Sequence, residues 1–213
     1  MRLLVIGLVC SFLILLVHPA MGQVRLGIKG GLSTLDAPST ALIILDQGET
    51  AKYRFSVADV KYGVHLGMFV QAQTKHFFAQ PEFLFNTVAV EYTVEDLQVA
   101  TPNLVKDEQY RNLDAPLILG VKFGPVRIGA GPVVHLFLDS TSDLKDIPEY
   151  SQDFDRLSYG WQAGLGLDIW KLHLDARYEG NFSQFGDHIV FYDRHYHFSE
   201  HPSRVLVSAG ISF

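Results

Sequence analysis

Polar and apolar residues alternate along this chain with a period of two, in eight separate runs. In the first, Val24, Leu26, Ile28, Gly30 and Leu32 alternate with Arg25, Gly27, Lys29, Gly31 and Ser33. The other runs cover residues 62–71, 77–86, 113–123, 126–136, 158–169, 172–179 and 204–213. Successive side chains of a strand point to opposite faces, so each run predicts a strand with one apolar and one polar face. The apolar rows contain no Asp, Glu, Lys or Arg. The polar rows hold Arg25, Lys29, Glu82, Asp114, Lys122, Arg127, Asp168, Asp175, Arg177, Glu179 and Arg204. A soluble sandwich turns the apolar row inward, and a membrane barrel turns it outward to lipid. Alternation alone does not choose between them.

The connections do. Long segments (36–59, 92–108, 139–156 and 184–202) alternate without exception with short ones (74–76, 124–125 and 170–171). Outer-membrane barrels join their strands by short periplasmic turns and longer external loops in this order. Aromatic residues collect at both strand ends, with Phe77, Phe123, Trp170 and Phe213 at the turn end. Tyr62, Phe137, Tyr159, Trp161 and Tyr178 stand at the loop end. Two belts of amphipathic rings suit two membrane interfaces. The prediction is an all-β chain: an eight-stranded antiparallel transmembrane β-barrel of up-and-down topology in the outer membrane. Its termini are placed in the periplasm and its four long loops outside.

The amino terminus agrees with that compartment. Arg2 precedes an apolar run from Leu3 to Val17 and then Ala20-Met21-Gly22, the pattern of a cleaved secretory signal. Cleavage after Gly22 would leave a barrel domain of residues 23–213. The single cysteine, Cys10, lies inside the leader, so the mature chain has no thiol for a disulfide, a thiolate metal site or thiol catalysis. With 17 Lys and Arg against 23 Asp and Glu, the chain is acidic, which argues against a nucleic-acid partner. The four long connections together carry a net charge of −11.

Five segments stand out: RLGIKGGLSTL at 25–35, QPEFLF at 80–85, NLDAPLILGVKFG at 112–124, GAGP at 129–132 and VLVSAGISF at 205–213. Together they resemble the PorT-like outer-membrane β-barrel family of Bacteroidetes. The resemblance spans nearly the whole mature chain. It implies a porin-like barrel in a Gram-negative outer membrane, and for Phe213 the role of a terminal assembly signal read by the barrel-assembly machinery. It carries no catalytic motif, and one namesake belongs to a protein secretion apparatus.

The candidate functional feature is the polar row. Six bases and five acids nearly balance, and an eight-stranded barrel is about filled by its own side chains. A closed, salt-bridged lumen is therefore expected in place of an open pore. In the last loop, His195-x-His197 sets two imidazoles on one side of an extended chain, with His201 nearby; these are the candidate metal ligands, although no metal or other cofactor is expected. The acids at 143, 146, 149, 153 and 155 read as a solvated loop, with a divalent-cation site as the alternative. For a lipid-acting enzyme the candidates near the loop-end rim are His135 with Ser140 and Ser158 with Asp155, where a triad needs a base in reach of both nucleophile and orienter. The expectation is a monomeric barrel that is not an enzyme, partnered by outer-membrane lipid, with a structural, adhesive or assembly-related role. A narrow transport or ligand-binding barrel is the alternative, and a lipid-acting enzyme the further one.

Overall fold

The computed structural model describes residues 23–36, 41–46, 48–60, 62–99, 103–146, 150–152, 156–182, 189–192, 194–196 and 203–213. In chain order the strands are β1 (Gln23–Leu35), β2 (Leu42–Leu45), β3 (Ala51–Val60), β4 (Gly63–Gln73), β5 (Phe77–Asp96), β6 (Leu104–Phe123) and β7 (Val126–Ser142). They continue with β8 (Tyr150–Gln152), β9 (Leu157–Ile169), β10 (Leu172–Asn181), β11 (Ile189–Phe191), β12 (Arg194–Tyr196) and β13 (Ser203–Ser212). A 3₁₀ turn covers Asp143–Asp146.

Eight of these strands close into a ring, each antiparallel to the two beside it. The order around it is β1, β4, β5, β6, β7, β9, β10 and β13, and β13 returns to β1 in a register running from Gly27↔Ser212 to Leu35↔Arg204. The three short turns join β4 to β5, β6 to β7 and β9 to β10 at one end of the ring. Gly124, at φ +59°, supplies the left-handed residue that the tight β6–β7 turn needs.

Burial in the ring is inverted relative to a soluble protein. Leu66 is 65 % exposed, Leu119 51 % and Val207 58 %, whereas Arg127 and Glu82 are each 1 % exposed. Every ring strand follows suit, with its apolar row outward and its polar row in the lumen. Water would make so large a continuous apolar exterior untenable. The alternation is thus resolved in favour of an apolar surround.

The two longest strands then reverse this arrangement without changing phase. On β5 the outward row is Phe77, Ala79, Pro81, Phe83 and Phe85, and continues as Thr87, Ala89, Glu91, Thr93 and Glu95. Its inward row changes from Gln80, Glu82 and Asn86 to the buried Val90, Tyr92 and Val94. On β6 the outward Leu113 gives way to Arg111, which pairs with Asp139 of β7 at 3.0 Å on the outer face. A bulge between Arg111 and Asn112 steps β7 past Leu138 and brings Asp139 to that face. Beyond this level the structure has an ordinary water-facing polarity.

That extension has its own core. Ile44, Tyr53, Phe55, Val90, Tyr92, Val94, Leu144, Ile189 and Phe191 pack together, with the Phe191 ring 5.4 Å from Phe55 and 5.9 Å from Tyr53. β2 and β3 add to the edge of β5, and β8, β11 and β12 form a separate three-stranded sheet. Much of what the sequence presented as the loops 36–59 and 92–108 is therefore strand, because the apolar residues within those segments find one another.

Candidate functional site

The candidate site is the ring's lumen, to which every ring strand contributes. Some contacts follow directly from strand register: Glu179 lies opposite Arg204 on one side and Gln162 on the other, Asp114 opposite His135, and His173 opposite Asp168. Directly opposed residues on one sheet face stand within side-chain reach.

At the turn end, Arg127 donates from Nε to Asp168 Oδ1 at 2.7 Å and from Nη2 to Asp175 Oδ1 at 3.1 Å. Lys122 donates to Asp168 Oδ2 at 3.0 Å and His173 Nδ1 to Asp168 Oδ1 at 2.8 Å. At mid-height, Lys29 bridges Glu82 (3.1 Å) and Asp175 (2.9 Å), and Arg177 Nη2 donates to Glu82 at 2.7 Å. Nearer the extension, Arg204 holds Asp114 at 2.6 Å and Glu179 at 2.6 Å, and His135 Nδ1 donates to Asp114 at 2.7 Å. Five cations thus meet five carboxylates, all but Lys122 of them buried.

Two of these pairs span the whole lumen. Arg204 on β13 reaches Asp114 on β6, and Arg177 on β10 reaches Glu82 on β5; in each case the two strands stand four places apart in the ring of eight. Glutamines connect the pairs. Gln162 donates to Glu179 at 2.7 Å and accepts from Arg177 at 3.3 Å. Gln80 accepts from Arg127 and from Gln71, both at 3.0 Å, and donates to Glu82 at 2.6 Å. Small residues on the wall make room: a Cβ on Gly166 would sit 2.7 Å from the Arg127 guanidinium, and one on Gly164 2.8 Å from Arg177 Cγ. Between Phe78, Ile118, Arg127, Gly129, Asp175 and Arg177 a cavity leaves about 10 Å³ for the centre of a water molecule, room for one water at most.

Ten of the eleven charged residues singled out in the sequence form ion pairs in this lumen. Arg25 differs in reaching no lumen carboxylate: half-buried at the turn-end rim, it donates to the Trp170 carbonyl (3.4 Å) and to Gln23 Oε1 (3.3 Å), which also accepts from Gln73. It stands near the start of β1, in register with Gln71. Gln71, Gln73, Gln80, Gln162, His135 and His173 were missed as members, although they occupy the same polar row. Phe213 is 73 % exposed and its N–H donates to the Leu26 carbonyl, so the terminal ring stands on the outer surface. Of the histidines weighed as metal ligands, His195 contributes backbone to β12, whereas His197 and His201 lie outside the described residues. Asp155 also lies outside them, and His135 is engaged by Asp114 rather than by Ser140. The lumen does hold a hydroxyl–imidazole contact, His65 Nε2 to Ser208 Oγ at 2.8 Å. Both residues are buried, and His65 Nδ1 has no partner to orient the ring.

No family model matches the chain, and no curated protein matches it in sequence. Among solved structures it is similar to the outer membrane protease OmpT from Escherichia coli, at 6 % identity and a TM-score of 0.40, over 90 % of this chain and 95 % of that one. The expectation that the chain is not an enzyme is withdrawn on this comparison, since a protein it resembles in strand arrangement is a protease. At that identity the likeness transfers no activity, and proteolysis is said of that protein alone. What the structure itself displays is an all-β ring of eight antiparallel strands.

Proposed function

We propose that the chain is an integral outer-membrane β-barrel of up-and-down topology, with 1–22 as its leader and 23–213 as the barrel domain. Its lumen is closed by the ion-pair network, and its acidic extension is presented outside the cell. The single observation that supports this reading is the inverted burial of the ring, apolar outside and charged inside, over strands as long as a transmembrane strand of roughly 9–11 residues. Above that band the outward rows of β5 and β6 become polar, which suits emergence into water. The two lumen-spanning pairs and their glutamine connectors favour a plug over a passage. The barrel then serves as an anchor for the extension, in an adhesive or assembly-related role at the cell surface. The PorT-like segments read in the sequence favour the assembly side of that pair.

Leu117→Arg tests the carrying observation. It sets a cation on the outward face of β6 within the apolar band, at a cost of about 2–4 kcal/mol near the bilayer midplane. Insertion into lipid vesicles should fall sharply. Thr93→Arg, on the outward row of the extension, should insert as the unmodified chain does. Equal insertion of Leu117→Arg and the unmodified chain would remove the lipid-facing assignment.

A further inference from the structure

The turn end of the ring differs from the loop end in a way the membrane-anchor reading does not use. Among the described residues, its cations outside the lumen ion pairs lie on one arc. Passing round the ring from the β9–β10 turn through β13 and β1 to the β4–β5 turn, the rim presents Lys171, Phe213, Arg25 and Lys75 in succession, with His76 beside Lys75. Lys75, His76 and Lys171 are exposed, and Arg25 is half-buried with its guanidinium at the rim. The side-chain carboxylate at that end, Asp168, is turned into the lumen and held by Arg127, Lys122 and His173. The β6–β7 turn on the far side, Gly124-Pro125, brings no exposed cation, because Lys122 points inward to Asp168. Three cations thus stand along one arc of a rim whose outer surface is apolar.

A second observation concerns Trp170. It is 83 % exposed, yet it occupies the left-handed backbone region at φ 56°. For a bulky residue that conformation costs roughly 1–2 kcal/mol, and a two-residue hairpin turn ordinarily uses Gly or Asn there. Its carbonyl accepts from Arg25, and the Lys171 ammonium lies 5.5 Å from the centre of its ring. An indole stem with cations on either side fits the boundary between acyl chains and charged headgroups.

We propose that the arc of Arg25, Lys75 and Lys171, flanked by Trp170, Phe77 and Phe213, binds the phosphate headgroups of anionic phospholipid in the leaflet at the turn end. The proposal rests on the membrane-spanning reading. Each cation near an anionic surface contributes roughly a fivefold preference, so the three together contribute on the order of a hundredfold. That preference should vanish near 1 M salt, where the screening length is about 3 Å.

The test uses the full chain folded into vesicles of phosphatidylethanolamine with one part in five phosphatidylglycerol. Lipids that stay bound after detergent release are counted by native mass spectrometry. The unmodified protein should retain phosphatidylglycerol well above its share of the mixture. The triple variant R25Q/K75Q/K171Q should retain the two lipids in proportion to supply, whereas K52Q/K106Q in the extension should behave as the unmodified chain. Cold-gel mobility checks that each variant is folded. Enrichment that survives in the triple variant, or that is absent from the unmodified chain, overturns the proposal. So does displacement of the lipid by millimolar inorganic phosphate, which would mark a site for free anions. Failure of the unmodified protein to float with vesicles at all would instead count against the membrane-spanning reading.

Discussion

Arg204 is the residue whose loss should cost the ring most. Its guanidinium contacts Asp114 on β6 and Glu179 on β10, at 2.6 Å each, and all three side chains are at most 8 % exposed. Arg204→Met keeps most of the stem and removes the charge. Asp114 is then left with His135, and Glu179 with Gln162 and a His135 nitrogen 3.6 Å away. Two buried carboxylates lose their one guanidinium. Breaking a single buried pair this way costs roughly 3–5 kcal/mol, and this double loss belongs at the upper end of that range. Lys29→Met should cost less, because Glu82 keeps Arg177 and Asp175 keeps Arg127. The assay is urea unfolding from lipid vesicles, followed by tryptophan emission and cold-gel mobility. Adding Glu179→Gln to Arg204→Met should recover part of the loss, since it removes one of the stranded charges, and the double-mutant cycle measures how much. Single-channel recordings of the unmodified protein should show no large steady conductance, and the stability loss should precede any conductance in the variant. The reasoning fails if Arg204→Met unfolds within about 1 kcal/mol of the unmodified chain, or if Lys29→Met is the more damaging change.

Three further expectations concern the extension and the chain end. Phe55→Ala empties a fully buried position beside Phe191 and should cost the extension about 3–5 kcal/mol; protease should then cut within 41–60 while the ring keeps its folded gel mobility. Tyr110, beyond the outward Arg111, donates to Glu108 at 2.6 Å. Burial, then the neighbouring Tyr92 and Glu108, hold its phenol well above the ordinary value of 10.0. A raised pKa means the folded extension keeps a proton that the unfolded chain releases, so this contribution is intact below pH 10 and is lost as the pH climbs beyond it. Protease resistance of the extension should drop as the pH climbs above 10, and Tyr110→Phe should flatten that dependence. Deleting Phe213 should lower the amount assembled in the outer membrane more than the stability of protein already folded, because its exposed ring makes little contact with the ring interior; normal membrane levels of the truncated chain would contradict the assembly role.

The positions of the ring strands were legible in the chain because period-two alternation survives whichever face is buried, and the alternating lengths of the connections indicated the membrane. The membership of Lys29, Glu82, Asp175 and Arg177 in one network was likewise readable, since polar groups on one row of a narrow closed ring have nowhere else to go. One signal was present and missed. In β5 the apolar residues move from odd numbers (Phe83, Phe85) to even ones (Val88, Val90, Tyr92, Val94), which already announces a strand leaving one surround for another. Other features required the tertiary structure. Arg25 sits on the same row as Lys29 yet meets the Trp170 carbonyl and Gln23 in place of a carboxylate, a choice of partner that only the closed ring reveals. The partners that span the lumen, Arg204 with Asp114 and Arg177 with Glu82, come from strands far apart in the chain, and local pattern carries no record of which charges meet. The core of the extension gathers Ile44, Phe55, Val90, Leu144 and Phe191 from four separate segments. Hydrophobic burial is non-directional, so a sequence shows that such residues will be covered, and only the closed chain decides by which others.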